Sequence, residues 1–171
     1  MMRVPTLAAF FVTKAFLPGM LTKDEGRILN INTPVAFSPW PGALGYATAR
    51  YALRGFSEAL QADLHGTGIR VTTLYPGKVK TPYFEHNVGA EDRIPSIAKI
   101  IPTLTSEQSG EWIAKMAERG PREAYTPFGV RLIAWQARWF PRLTAWLIIR
   151  TGASRKLLLA PREDDNDGAA L

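Results

Sequence analysis

Two short apolar runs, Ile28 to Ile31 and Ile69 to Leu74, flank a stretch in which Tyr46, Ala49, Leu53, Phe56, Leu60 and Leu64 recur at spacings of three and four. That period places them on one face of a helix. The pattern therefore predicts strand, helix, strand, with the first strand over Arg27 to Ile31. Strands joined through a helix run parallel, and the crossover is right-handed. In such sheets ligands bind beyond the carboxyl ends of the strands. Thr33 and Pro76-Gly77 fall just past those ends, and Tyr46 opens the helix between them.

The segment Thr33-Pro34 through Pro41-Gly42 holds three prolines and reads as a restricted loop. Gly66 is placed to end the long helix, with Thr67-Gly68 connecting to the next strand. Upstream, Leu7, Phe10, Phe11, Lys14, Ala15 and Leu17 predict a helix stopped by Pro18-Gly19. A signal peptide fits less well, because Lys14 interrupts the apolar run. No stretch reaches roughly 18 uninterrupted apolar residues, so a cytoplasmic protein is expected.

The chain of 171 residues has no cysteine, which excludes disulfides and thiolate chemistry. Neither His65 nor His86 has a second ligand at metal-binding spacing, so no metal site is expected. The formal net charge is +6 and is unevenly placed: seven of the 21 basic residues lie from Ala124 to Arg162 with no acid among them. The remainder has 14 basic residues against 15 acidic ones, so the excess defines a local basic surface.

Downstream of Thr81, Ser106 to Glu118 reads as a helix, with Ser106-Glu107-Gln108-Ser109 near a capping box and Trp112, Ile113 and Met116 on its apolar face. Glu123 to Thr126 reads as a short last strand. From Phe128 to Ile149, Trp135, Trp139 and Trp146 alternate with Arg131, Arg138, Arg142 and Arg150, and Pro141 divides the segment into two helical pieces. Such helices either cover a cleft or subunit interface or rest on a membrane surface, so residues 128–150 are a candidate for peripheral membrane contact. No nucleic-acid motif accompanies the charge.

Taken together, Gly26-Arg27-Ile28-Leu29-Asn30-Ile31-Asn32-Thr33, Tyr46-x-x-x-Arg50, Gly68-Ile69-Arg70-Val71 and Pro76-Gly77-x-Val79-x-Thr81 closely resemble the short-chain dehydrogenase/reductase family in order and spacing. Tyr46 follows Thr33 by thirteen residues, as in the family. The likeness runs from about Val4 to Glu118 and covers the second half of a family domain. The Gly-rich turn that holds the cofactor pyrophosphate at a helix N-terminus is not among these residues.

The resemblance implies an α/β fold, a partial Rossmann-like, doubly wound parallel sheet with a C-terminal helical extension. Residues 1–127 are assigned to the partial dehydrogenase domain, and the residue pattern beyond it makes 128–160 a basic, aromatic helical cap and 161–171 an acidic, disordered tail. It further implies an oxidoreductase that interconverts an alcohol and a carbonyl with NAD or NADP. Tyr46 would be the acid/base, Arg50 its cation and a cofactor contact, and Thr33 the donor to the carbonyl. Pro76, Gly77, Val79 and Thr81 would lie against the nicotinamide. A phenol titrates near pH 10, so work near neutrality asks for roughly 3 units of stabilisation of the phenolate, about 4 kcal/mol.

Three positions differ from the family pattern: Arg50 stands for lysine, Thr33 for serine, and Pro5 for a supporting asparagine. Arginine keeps the charge in a bulkier fork, threonine keeps the hydroxyl, and proline keeps no polar side chain. The isoleucines between Pro82 and Pro102, where the family has its substrate lid, suggest a lipophilic alcohol or ketone. A homo-oligomer is expected. Taken singly, Tyr46 reads as packing, Arg50 as a solvated helix cation and Thr33 as a strand end. The alternatives to a working enzyme are a non-catalytic remnant that dimerises through the long helix and a peripheral membrane or lipid-binding module.

Overall fold

The structure, a computed structural model, describes residues 2–82, 91 and 94–152. Its centre is a parallel three-stranded sheet in the order β1 (Gly26–Ile31), β2 (Ile69–Pro76), β3 (Glu123–Thr126). Gly26 pairs with Ile69 and Ile31 with Leu74, so the two strands predicted from their apolar runs align end to end. Helix α2 (Leu44–Asp63) makes the crossover between them. Its inward positions Ala47, Ala49, Leu53, Ser57 and Leu60 are buried. Leu60 and Leu64 pack on Ile69 and Val71, with Leu17, Met20, Ile28 and Phe56 around them. Each such leucine removed from water is worth about 1.5–3 kcal/mol, which fixes the helix to the sheet.

The first helix corrects the expected stop at Pro18-Gly19. After a single wide turn over Arg3–Leu7, α1 (Ala8–Lys23) continues through Pro18 and ends at Asp24, whose φ is 46°. Pro18 lies on an exposed position, where a lost backbone bond can be replaced by water. The whole helical segment Arg3–Lys23 spans 21 residues. Among the described residues it is the one helix long and apolar enough to cross a membrane by length and composition. Lys14 splits the segment, so its apolar character is not carried by one uninterrupted run. Little of its surface is buried: Phe11, Val12 and Phe16 point outward.

Gly68 is required by close approach. Its N–H donates to the Asp24 carboxylate at 2.7 Å, and a Cβ there would collide with the Asp24 carbonyl oxygen. Helix α3 (Ser106–Arg119) packs on β2. Its cap is Thr105 and not Ser106: Thr105 Oγ1 accepts from the Gln108 N–H at 3.2 Å, and Gln108 Oε1 accepts from the Thr105 N–H at 3.0 Å. The capping box is thus one residue upstream of the sequence expectation. Helices α4 (Phe128–Trp139) and α5 (Pro141–Thr151) follow β3, divided at Pro141 as expected. The expected tail 161–171, the part of the expected cap beyond residue 152, His86 and six of the fifteen acidic residues lie outside the described residues.

Candidate active site

The turn after β1 and the first turns of α2 bring the central residues together. A short 3-10 turn, Pro34–Ala36, follows Thr33, and Gly42 takes a φ of 77° before α2 begins. Tyr46 is therefore delivered to the start of α2 at the carboxyl end of the sheet. Arg50 lies one turn later, its guanidinium 5.0 Å from the centre of the Tyr46 ring. The same guanidinium donates from Nη1 to the Ile31 carbonyl at 3.1 Å. The arginine thus bridges the end of β1 and the start of α2. Its Nε is buried and has no hydrogen-bond acceptor. A buried donor without an acceptor is costly and marks a place where a further group would fit.

Asn32 holds this arrangement, although the sequence offers it only as one residue of the motif Gly26 to Thr33. It is 3% exposed. Its N–H donates to the Leu74 carbonyl at 2.7 Å, its Nδ2 to the Arg50 carbonyl at 3.1 Å, and its Oδ1 accepts from the Thr33 N–H at 2.9 Å. One buried asparagine ties the end of β2 through its backbone N–H and the first turns of α2 through its side chain, which also sets the backbone of Thr33. The available signal was its polarity at the end of an otherwise apolar strand. Pro5 sits in the turn before α1, at a cleft of ≈ 370 Å³ against β1. Next to it, Thr6 Oγ1 donates to the Ala49 carbonyl at 2.8 Å, so the polar link to α2 comes from the neighbour of Pro5.

The remaining predicted residues form a second strip. Pro76 ends β2 opposite Thr126, and the Gly77 N–H donates to the Thr126 carbonyl at 2.6 Å. A Cβ on Gly77 would lie 3.0 Å from Pro127 Cδ and 3.3 Å from Val130 Cγ2, so the close approach of this backbone to α4 favours glycine. Val79 bridges Leu104, with the Lys80 N–H donating to the Leu104 carbonyl at 2.8 Å. Thr81 follows at an exposed position. Tyr46, Arg50 and Thr33 are thus joined through Asn32 and Ile31, while Pro76, Gly77, Val79 and Thr81 are held from the neighbouring strand.

An aromatic cluster beneath this strip was not foreseen. Tyr75 is fully buried, stacked on Tyr125 with centroids 5.2 Å apart and 4.7 Å from Phe37. Burial, and then the charge of Glu123, push the Tyr75 hydroxyl above the ordinary phenol range, and that hydroxyl has no hydrogen-bond partner. Burial and a 2.6 Å bond to the Glu123 carboxylate push Tyr125 the same way. These phenols serve packing: both rings rest in the core that supports Gly77. Among the described residues, no three His, Cys, Asp or Glu side chains gather as metal ligands.

A family pattern described as short chain dehydrogenase matches residues 1–92. The chain belongs to the short-chain dehydrogenase family. It is 41% identical over 111 residues to the NADP-dependent 3-hydroxy acid dehydrogenase YdfG of Salmonella typhi, a match covering 62% of this chain and 45% of that protein. It is 28% identical over 141 residues to estradiol 17-beta-dehydrogenase 11 of Rattus norvegicus, covering 81% of this chain and 44% of that one. The chain therefore spans about half the length of the curated relatives it matches. Its fold is that of a short chain dehydrogenase from Burkholderia cenocepacia solved with NADP, with a TM-score of 0.70 at 19% identity over 86% of this chain and 56% of the other.

Proposed function

We propose that this chain supplies the substrate and nicotinamide side of an NAD(P)-dependent oxidoreductase acting on an alcohol and its carbonyl. The observation that carries the reading is Arg50 over the Tyr46 ring, anchored on Ile31 beside the Asn32-Thr33 turn. A nicotinamide dinucleotide, when bound, supplies or accepts the hydride. In the reductive direction, the Tyr46 hydroxyl gives its proton to the developing alkoxide oxygen, and the Arg50 charge offsets the phenolate left behind. The Thr33 hydroxyl donates to the same oxygen and orients the carbonyl.

The residues present fit such a group. The unpartnered buried Nε of Arg50 is a donor for a ribose hydroxyl. The backbone at Pro76 and Gly77, with Val79 and the Thr81 hydroxyl, offers a surface for the flat nicotinamide and its carboxamide. The relatives named as NADP-dependent support the cofactor class. Of the isoleucines read as a lid, Ile101 packs on the core of Ala36, Tyr75 and Val130, whereas Ile100 is exposed and supports a lipophilic substrate.

The outward apolar side chains of α1 support a homo-oligomer assembled through α1 and α2, since a second copy would cover them. A cytoplasmic location is kept as part of the same proposal. The test of the reaction is a turnover assay on lipophilic ketones with NADH and NADPH, run beside Tyr46→Phe. Loss of turnover in the Phe variant, with nucleotide binding retained, is the expected result; equal turnover would remove Tyr46 from the reaction.

A further inference from the structure

Helices α4 and α5 turn an apolar face outward. On α4, Phe128, Leu132, Trp135 and Trp139 recur at intervals of four, three and four, which makes one stripe along the helix. Trp135 and Trp139 are 57% and 68% exposed, whereas Val130, Ala134 and Ala137 on the opposite face are buried. The inward side is already occupied, with Val130 packed on Ala36 and Tyr75. On α5, Leu143, Trp146 and Ile149 are exposed, while Thr144 and Ile148 are buried. The helices are thus apolar toward the core and also along an outward stripe, where a polar face toward solvent is usual. Cover for the substrate cleft does not account for the stripe, because these side chains point away from the sheet.

The charge around the stripe narrows what can cover it. Arg142 and Arg150 lie four residues before and after Trp146, and the Arg150 guanidinium sits 5.6 Å from the Trp146 ring centre. On α4, Arg131 and Arg138 flank the aromatic stripe on one side. Among the described residues, Arg138 alone of these four takes part in an ion pair, with Glu123 at 4.0 Å. Neither helix contains an acid. A second copy seated on this face by a two-fold axis would bring the arginines of these helices together with no carboxylate from either helix to offset them. A surface of phosphate groups over hydrocarbon complements both features: indoles settle at the polar boundary, and guanidinium groups bind phosphate oxygens in pairs.

We propose that the α4–α5 face docks on an anionic lipid surface, with Trp135, Trp139 and Trp146 entering the boundary region and Arg142 and Arg150 binding lipid phosphates. The proposal stands apart from the oxidoreductase reading, since it uses none of the residues placed around Tyr46. The face lies beside β3, at the opposite sheet edge from α1.

The experiment is cosedimentation of the purified 171-residue chain with phosphatidylcholine vesicles and with phosphatidylcholine–phosphatidylserine vesicles, at low and high salt. Brominated lipids in a parallel series report tryptophan contact. The expected result is binding to the serine-containing vesicles, weakened by salt, with tryptophan emission quenched by brominated lipid. The paired variant Trp135→Glu/Trp146→Glu should lower that binding by at least about tenfold. Arg142→Gln/Arg150→Gln should weaken it and flatten its salt dependence. These side chains are exposed, and circular dichroism checks that both variants fold. No cosedimentation at either salt would overturn the proposal, as would vesicle binding unchanged by the glutamates. Self-association abolished by the glutamates, or binding to nucleic acid, in either case without vesicle binding, would also overturn it and assign the face to that other partner.

Discussion

The Arg50 guanidinium lies 5.0 Å from the centre of the Tyr46 ring and is held there by the Ile31 carbonyl at 3.1 Å. The cation that the proposed reaction needs is therefore supplied from the same helix as the phenol and fixed by the end of the adjacent strand. Its orientation does not depend on a substrate.

Replacing this cation separates charge from shape. Arg50→Lys keeps the charge on a compact ammonium and should preserve or raise any turnover, whereas Arg50→Ala should lower it by about 10²–10⁴, the usual weight of an acid/base contribution. Steady-state rates of the two variants check this. A lysine variant as inactive as the alanine one would show that the forked shape, and not the charge, is required.

Asn32 should matter for both stability and turnover. Asn32→Ala leaves the Leu74 bond in place, because that bond uses the backbone N–H, but removes the side-chain links to Arg50 and Thr33. Two buried bonds lost correspond to a destabilisation of about 1–3 kcal/mol. Urea unfolding measures it, and an unchanged midpoint would contradict the tie assigned to Asn32.

Much of this arrangement was legible in the sequence. The strand, helix, strand core follows from two apolar runs and one period of three and four, because burial on one side enforces that period. Pro141 marked the division between α4 and α5 because proline starts a helix more readily than it continues one. Other parts were not legible because they depend on packing across the fold. Pro18 read as a stop, although an exposed proline is accommodated within α1. Ser106 and Thr105 are both capable caps, and only backbone geometry selects Thr105. Asn32 showed only polarity, since its three partners come from separate elements. Tyr75 and Tyr125 looked like ordinary strand residues until the parallel pairing of β2 and β3 placed them side by side.

The buried phenols predict an alkaline limit. The folded chain keeps the Tyr75 proton at pH values where the unfolded chain, titrating near 10, releases it. Stability from this group is therefore fully present below about pH 10 and falls as pH rises above it, by about 1.4 kcal/mol per pH unit while the folded phenol stays protonated. Tyr75→Phe should remove part of that slope. Near neutrality it should change stability by no more than about 1 kcal/mol, because the hydroxyl lost has no partner. Unfolding midpoints across pH 8–11 distinguish these outcomes, and an unaltered alkaline slope in the Phe variant would count against the assignment.

The outward side of α1 predicts association. Phe11→Glu and Phe16→Glu place a charge on exposed apolar positions and should convert an oligomer to monomer with little loss of helix content. Light scattering after size exclusion reads the mass. An unchanged mass in both variants would assign the oligomer to another surface.

The account rests most directly on a nicotinamide surface formed by Tyr46, Arg50 and the Pro76-Gly77 strip. Titration of the purified 171-residue chain with NADH and NADPH, followed by nucleotide fluorescence and tryptophan quenching, tests it without requiring a known substrate. The account predicts saturable binding of at least one nucleotide, weakened by Arg50→Ala and by Gly77→Val. A chain that is folded by circular dichroism and binds neither nucleotide would contradict it.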